Sequence, residues 1–270
     1  MGKLPISVQL YSIRDYTAND FAAAVTKIAQ IGYTHVELAG FGDLKSAAEA
    51  RKALDGAGLK VSGAHIEFGR WANLGKVLDE ADVLGNENLI IPWIDTELRT
   101  VDGYRHVARV LNQSSIAAKA RGKRVAYHNH DFELRPPDGP TPDGAPPHAP
   151  PHAGSPAQCG LDLIWSNTDA DSVFAELDLF WLKVGGVDPL AYLHKLGRRT
   201  LIVHLKDQSK IDPNRFAEVG TGTLDFAALI GAAAELGVQF GTVEQDDCYG
   251  QDPMQAVRTS FCNLQKMGLV

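Results

Sequence analysis

Short apolar, β-branched runs alternate with longer stretches of helical periodicity along the chain. The runs ISVQLYS (6–12), HVELAG (35–40), VSGAHIEF (61–68), ENLIIPWI (87–94), RVAYHNHDFEL (124–134), FAELDLFWLKV (174–184), TLIVHLKD (200–207) and FGTVEQDD (240–247) read as strands one to eight. Helical patterns fill the intervals at 18–30, 44–57, 71–84, 101–121, 189–197, 224–236 and 253–267, several of them closed by Gly. Strands alternating with helices imply a parallel sheet. Eight such units in 270 residues fit one α/β domain, a single (β/α)8 barrel over 1–270, better than an open doubly wound sheet. No strand runs into GxGxxG, and the nearest Gly-rich piece, VGTGTLD (219–225), follows a loop.

One segment breaks the alternation. Residues 135–156, RPPDGPTPDGAPPHAPPHAGSP, are dense in Pro and Gly and are expected to form a flexible insertion after strand five. Its position beyond strand five would put it at the barrel mouth, either as a lid or as a solvated insertion without a role; His148 and His152 within it are not taken as ligands.

Polar residues that interrupt the apolar strands carry the chemistry. Inward positions of a barrel strand pack the core unless they reach the C-terminal rim. Strand two ends with Glu37 and strand three with His65 and Glu67. Strand five carries His128 and His130 on one face, and strand six carries Glu176 and Asp178 on one face. Strand seven ends with His204 and Lys206, and strand eight with Glu244 and Asp246. So many ionisable groups cannot be buried separately without partners. Gathered at a rim around a divalent metal they satisfy one another, and mixed imidazole and carboxylate donors suit Mn²⁺, Co²⁺, Fe²⁺ or Zn²⁺. An Asp, a His and a Glu from consecutive strands leave coordination positions open for substrate oxygens. The bland readings are a hydrogen-bonded His65, a Glu37–Lys206 ion pair and a surface pair of Lys206 with Asp207. Asp162 is set aside as preceding strand six, and Trp93 and Trp181 serve first as packing.

Charge narrows the partners. The net charge is −7 and no basic stripe is visible, so neither nucleic acid nor an anionic membrane surface is an expected partner. No apolar run approaches the ~20 residues of a membrane span, and the N-terminus carries no secretory pattern. The three cysteines are far apart, which fits a reducing, cytoplasmic setting.

FAELDLFWLKVGGVDP (174–189), GRRTLIVHLKD (197–207), EVGTGTLDF (218–226) and GTVEQDD (241–247) resemble the sugar phosphate isomerase/epimerase family with its xylose isomerase-like TIM barrel. VQLYSIRD (8–15), GYTHVELAGF (32–41), GAHI (63–66) and YHNHDFE (127–133) fit the same family. The resemblance implies a metal-dependent enzyme acting on a small sugar, keto-sugar or cyclitol, with a divalent metal (Mn²⁺, Co²⁺ or Zn²⁺) on side chains from strands five to eight. Those map onto a strand-five residue, Asp178, His204 and Glu244. The strand-five ligand stays open between His128, taken here as the fourth, His130 and Glu133. The relatives usually place a Glu there, so YHNH departs from their paired-carboxylate arrangement.

The expected reaction is isomerisation or epimerisation by proton transfer next to a carbonyl, through a metal-stabilised enediolate. Glu244 and His130 are the expected proton carriers, and Lys206 holds a substrate oxygen. Glu37, His65, Trp93 and Asp246 are expected to contact the substrate. The rival readings are β-elimination from a 3-keto-glycoside or keto-cyclitol and a non-catalytic sugar-binding protein. Barrels of this size often associate, so a homo-oligomer is also expected.

Overall fold

The structure, a computed structural model, describes residues 2–137 and 158–270. Eight parallel strands close into a barrel: β1 (Ile6–Gln9), β2 (His35–Leu38), β3 (Lys60–His65), β4 (Asn88–Ile91), β5 (Arg124–His128), β6 (Val173–Asp178), β7 (Thr200–Leu205) and β8 (Phe240–Val243). Consecutive strands are neighbours, and β8 returns to β1 through Ile6 opposite Gly241, so no edge is left unpaired. Helices lie between them, the longest being Val101–Ala120. No helix among the described residues is long and apolar enough to cross a membrane.

Local chemistry sets the boundaries. Asp20 caps the helix Phe21–Ile31 by accepting from Ala23 N, and Ser46 and Asp252 cap Ala47–Ala57 and Pro253–Lys266 in the same way. The strands are shorter than the apolar runs suggest. The sixth run divides at Asp178, where the strand stops and the helix Leu179–Val184 begins, because the Asp178 carboxylate accepts from Trp181 N at 2.8 Å. The fifth ends at His128 and the fourth at Ile91, just before Pro92. After β7 the chain forms a two-stranded antiparallel ribbon, Asp207–Gln208 with Phe216–Ala217, that the pattern did not indicate. Residues 138–157, with His148 and His152, lie outside the described residues; the flanks meet where Gly160 N donates to Arg135 O at 3.2 Å.

Two of the apolar clusters among the described residues shape the barrel wall. Val8, Val36, Leu89, Val125, Leu177, Val203 and Val243 face outward and pack against the helices. Inside, Ile90, Ala126 and Ile202, with Phe174 and Phe240, form a floor toward the N-terminal end. The floor leaves the upper interior to polar side chains.

Candidate metal centre

Strand parity builds the site. Counting by twos from the floor, Phe174 is followed by Glu176 and Asp178, Ile202 by His204 and Lys206, Ala126 by His128, and Phe240 by Thr242 and Glu244. Two polar layers result.

The lower layer holds Glu37, His65, Glu176 and His204. Glu176 Oε2 lies 2.6 Å from His65 Nε2 and 3.3 Å from His204 Nε2. Glu37 Oε2 lies 2.7 Å from His204 Nε2 and accepts from Gln9 Nε2 at 2.9 Å. Both carboxylates are fully buried, and the Oε1 atom of each has no hydrogen bond. Gly63 makes room for this layer: a Cβ there would lie 2.6 Å from Glu37 Oε1 and 2.9 Å from Ile90 Cδ1.

The upper layer, at the C-terminal rim, holds His128, Asp178 and Glu244 together with the ring of His204. One donor atom from each of these four residues lies within 4.8 Å of the others. Asp178 Oδ2 is buried without a hydrogen bond, 3.8 Å from His128 Nε2 and 3.2 Å from the Lys206 ammonium. Glu244 Oε2 lies 2.7 Å from His204 Nδ1 and 2.8 Å from Lys206 Nζ. Lys206 also donates to Asp246 at 2.9 Å. Two imidazoles, two carboxylates and an orphaned buried oxygen fit a divalent cation of borderline softness.

Burial and neighbouring charge set the protonation states. Burial, and then the His204 charge, lower His128 to about 4, so its imidazole is neutral at pH 7. His130 is pushed well below the usual imidazole range by burial and then by His128 and Lys206. Burial opposes ionisation of Glu244, but Lys206 and His204 hold it well below the usual carboxylate range. Burial likewise opposes the charge on Glu176, and His204 and His65 reverse that effect. Glu37 is raised to about 7 by burial and by the Glu176 charge, and Asp246 to about 7 by burial against the pull of Lys206.

The expected site residues separate into three groups. His128, Asp178, His204, Glu244, Lys206 and Asp246 come together at the rim. His130 stands beside them in an aromatic wall, its ring 4.9 Å from Trp93 and 5.5 Å from Trp181, and its Nδ1 has no hydrogen bond. Trp93 is exposed in that wall, with the Arg99 guanidinium 4.6 Å over its ring. Glu37 does not reach the mouth: it is sealed below His204 and pairs with His204 and Gln9, not with Lys206. His65 belongs to the lower layer, its side chain 11% exposed. Glu133, an alternative strand-five ligand, points away; its carboxylate accepts from Tyr127 Oη at 2.7 Å and from His130 N at 2.8 Å. Asp162 lies on the helix Gly160–Ser166 beside Lys195, outside the site.

Two residues acquire roles their sequence context did not reveal. Gln9 anchors Glu37, as above. Asp207 is neither on the surface nor paired with Lys206. It is fully buried, and its carboxylate accepts from the backbone N–H groups of Gln208, Gly220, Gly222 and Leu224. Gly222 is required there, because a Cβ would collide with that carboxylate. Of the N–H groups of VGTGT (219–223), those of Gly220 and Gly222 go to Asp207, and those of Val219, Thr221 and Thr223 to Ser260 Oγ, Glu218 O and Gln208 O.

Similar folds recur among solved structures. A sugar phosphate isomerase/epimerase from Parabacteroides distasonis aligns with a TM-score of 0.79 at 22% identity, over 98% of both chains. The apo form of 3-keto-D-glucoside 4-epimerase from E. coli aligns at 0.68 and 18%, over 98% of this chain and 100% of that one. A probable 3-DHS dehydratase involved in petrobactin synthesis, from Bacillus anthracis, aligns at 0.68 and 12%, over 97% and 99%. No curated protein matches in sequence. The family model of the xylose isomerase-like TIM barrel covers residues 25–258, from within the helix Phe21–Ile31 into the helix Pro253–Lys266, and the chain belongs to that family.

Proposed function

We propose that the protein is a divalent-metal-dependent isomerase or epimerase of a sugar, keto-sugar or cyclitol. The observation that carries the reading is the convergence of His128, Asp178, His204 and Glu244, from four consecutive strands, to within 4.8 Å at the rim. A divalent cation held by those residues supplies Lewis acidity to a carbonyl oxygen and acidifies the adjacent C–H. Glu244, ionised at pH 7, takes the proton. His130, a neutral imidazole at the same mouth, exchanges a proton with the neighbouring carbon or its oxygen. The Lys206 ammonium, flanked by Asp178, Glu244 and Asp246, directs an N–H at a substrate oxygen. Trp93 and Trp181 offer flat apolar faces to the C–H side of a sugar ring.

Metal content and melting, measured with Mn²⁺, Co²⁺ and Zn²⁺ beside Asp178→Ala, test the site. We expect about one ion per chain, lost in the variant. Turnover of keto-sugars and cyclitols in D₂O should then place deuterium beside the carbonyl with the composition of the substrate otherwise unchanged. Absence of bound metal and of any metal-induced rise in melting temperature overturns the reading.

One observation favours elimination as the second reading. The strand-five side presents the imidazoles of His128 and His130 where a paired-carboxylate epimerase needs a second carboxylate. Release of water or an aglycone, in place of an isobaric product, selects elimination.

A further inference from the structure

The lower polar layer touches the outer side of both candidate histidine ligands, and a single oxygen does most of this. Glu176 Oε2 lies 3.1 Å from His128 Nδ1 and 3.3 Å from His204 Nε2. The opposite nitrogens, His128 Nε2 and His204 Nδ1, are the ones that face Asp178 and Glu244. His65 Nε2, 2.6 Å from the same oxygen, fixes the carboxylate from a third side. Its ring stacks parallel to His204 at 5.5 Å.

We propose that Glu176 is a positioning residue. Its carboxylate lies against the outer nitrogen of both rings, 3.1 Å from His128 Nδ1, which is buried with no hydrogen bond of its own, and 3.3 Å from His204 Nε2, whose hydrogen bond goes to Glu37, and so holds His128 Nε2 and His204 Nδ1 toward the cation. The inference rests on the metal-centre reading above. An imidazole binds a metal through one nitrogen only when the other carries the proton, and a buried carboxylate beside that other nitrogen selects the tautomer and locks the ring plane. Here one carboxylate on β6 serves two rings, one on each of the flanking strands β5 and β7. This accounts for a fully buried Glu two residues before the candidate ligand Asp178. Glu37 supports His204 from the other side, 2.7 Å from Nε2, but reaches no atom of His128 at ion-pair distance.

The test uses the full-length chain with Co²⁺ and Zn²⁺ as probes. Wild type is expected to bind one Co²⁺ per chain. Glu176→Gln, folded by circular dichroism in chelator, should still bind one ion but about 10- to 100-fold more weakly, with altered d–d absorption bands. Glu176→Asp should restore part of the affinity. In the Zn²⁺ form, ¹⁵N histidine NMR should show His204 bound through Nδ1 and His128 through Nε2. If Glu176→Gln does not fold, His65→Gln, which frees the Glu176 carboxylate and leaves all four candidate ligand residues in the chain, should weaken Co²⁺ binding in the same direction. Wild-type affinity and spectrum in these variants, or the reverse ring nitrogens on Zn²⁺, overturn the proposal. So does a stoichiometry of two in wild type that falls to one in Glu176→Gln, which would make Glu176 a ligand of a second ion. Failure of wild type to bind any ion instead removes the metal-centre reading on which the proposal rests.

Discussion

At the scale of single residues, the interior of this barrel is governed by what each ionisable group faces. Glu133 is instructive because it is buried yet outside the ligand set. Burial raises its carboxyl to about 7, although Tyr127 and the His130 amide favour the charged form. Between pH about 4.5 and 7 the folded chain holds a proton that the unfolded chain releases. The stability tied to that proton is complete below pH ~4.5 and is lost as pH rises through 7. Glu133→Gln removes this dependence. The difference between its free energy of unfolding in urea and that of wild type is therefore expected to move in favour of Gln from pH 5 to pH 8, by on the order of 3 kcal/mol. A gap that does not change with pH contradicts the assignment. Several residues at this scale were legible in advance. The shared parity of His128 with His130, Glu176 with Asp178, and His204 with Lys206 follows from the two-residue period of a strand. Depth was not legible, because parity gives the face and not the layer. Glu37 thus looked like a rim residue, whereas it lies one layer down.

At the scale of elements, strand ends double as helix starts. Asp178 closes β6, offers Oδ2 to the centre and caps Leu179–Val184 through Oδ1. The two duties separate by mutation. Asp178→Asn keeps the cap and loses the ligand charge, so it should lose metal with little change in the stability of chelated protein. Asp178→Ala should lose both, costing about 1 kcal/mol more in the same chelated melt. The apolar run through Trp181 hid this boundary, since hydrophobic continuity cannot register a change of backbone conformation; only the Asp side chain reports it. The Lys206–Asp207 pair divides its labour in a similar way. Asp207→Ala leaves four N–H groups without their acceptor. It is expected to cost on the order of 3 kcal/mol and to raise amide exchange at Gly220, Gly222 and Leu224. Unchanged protection at those amides would show that the loop holds itself.

At the scale of the whole molecule, closure makes the barrel indifferent to what is inserted between its units. All eight strands are paired on both sides, and the ends of the Pro-rich segment are already joined by the hydrogen bond from Gly160 to Arg135. Replacing 138–157 with a short Gly-Ser linker should therefore leave the melting temperature within a few degrees and the metal stoichiometry unchanged. A large drop in either assigns that segment a structural part. The alternation of strand and helix disclosed this architecture because each unit repeats the same periodicities. The ribbon after β7 stayed hidden because each of its strands is two residues long, below what any pattern can resolve.

That ribbon also bears on how such a protein diversifies. Its base is clamped by Asp207 opposite Ala217 and Gln208 opposite Phe216, and Ser209 N donates to Arg215 O just beyond. Between these clamps the turn carries Ile211, which is 97% exposed. Lys206 is fixed from below the clamp and Phe216 packs its ring on Trp181 from within it. The turn at 210–214 is therefore a cassette. A change in its length or composition is expected to leave the Lys206 ammonium and the candidate ligands beneath in place.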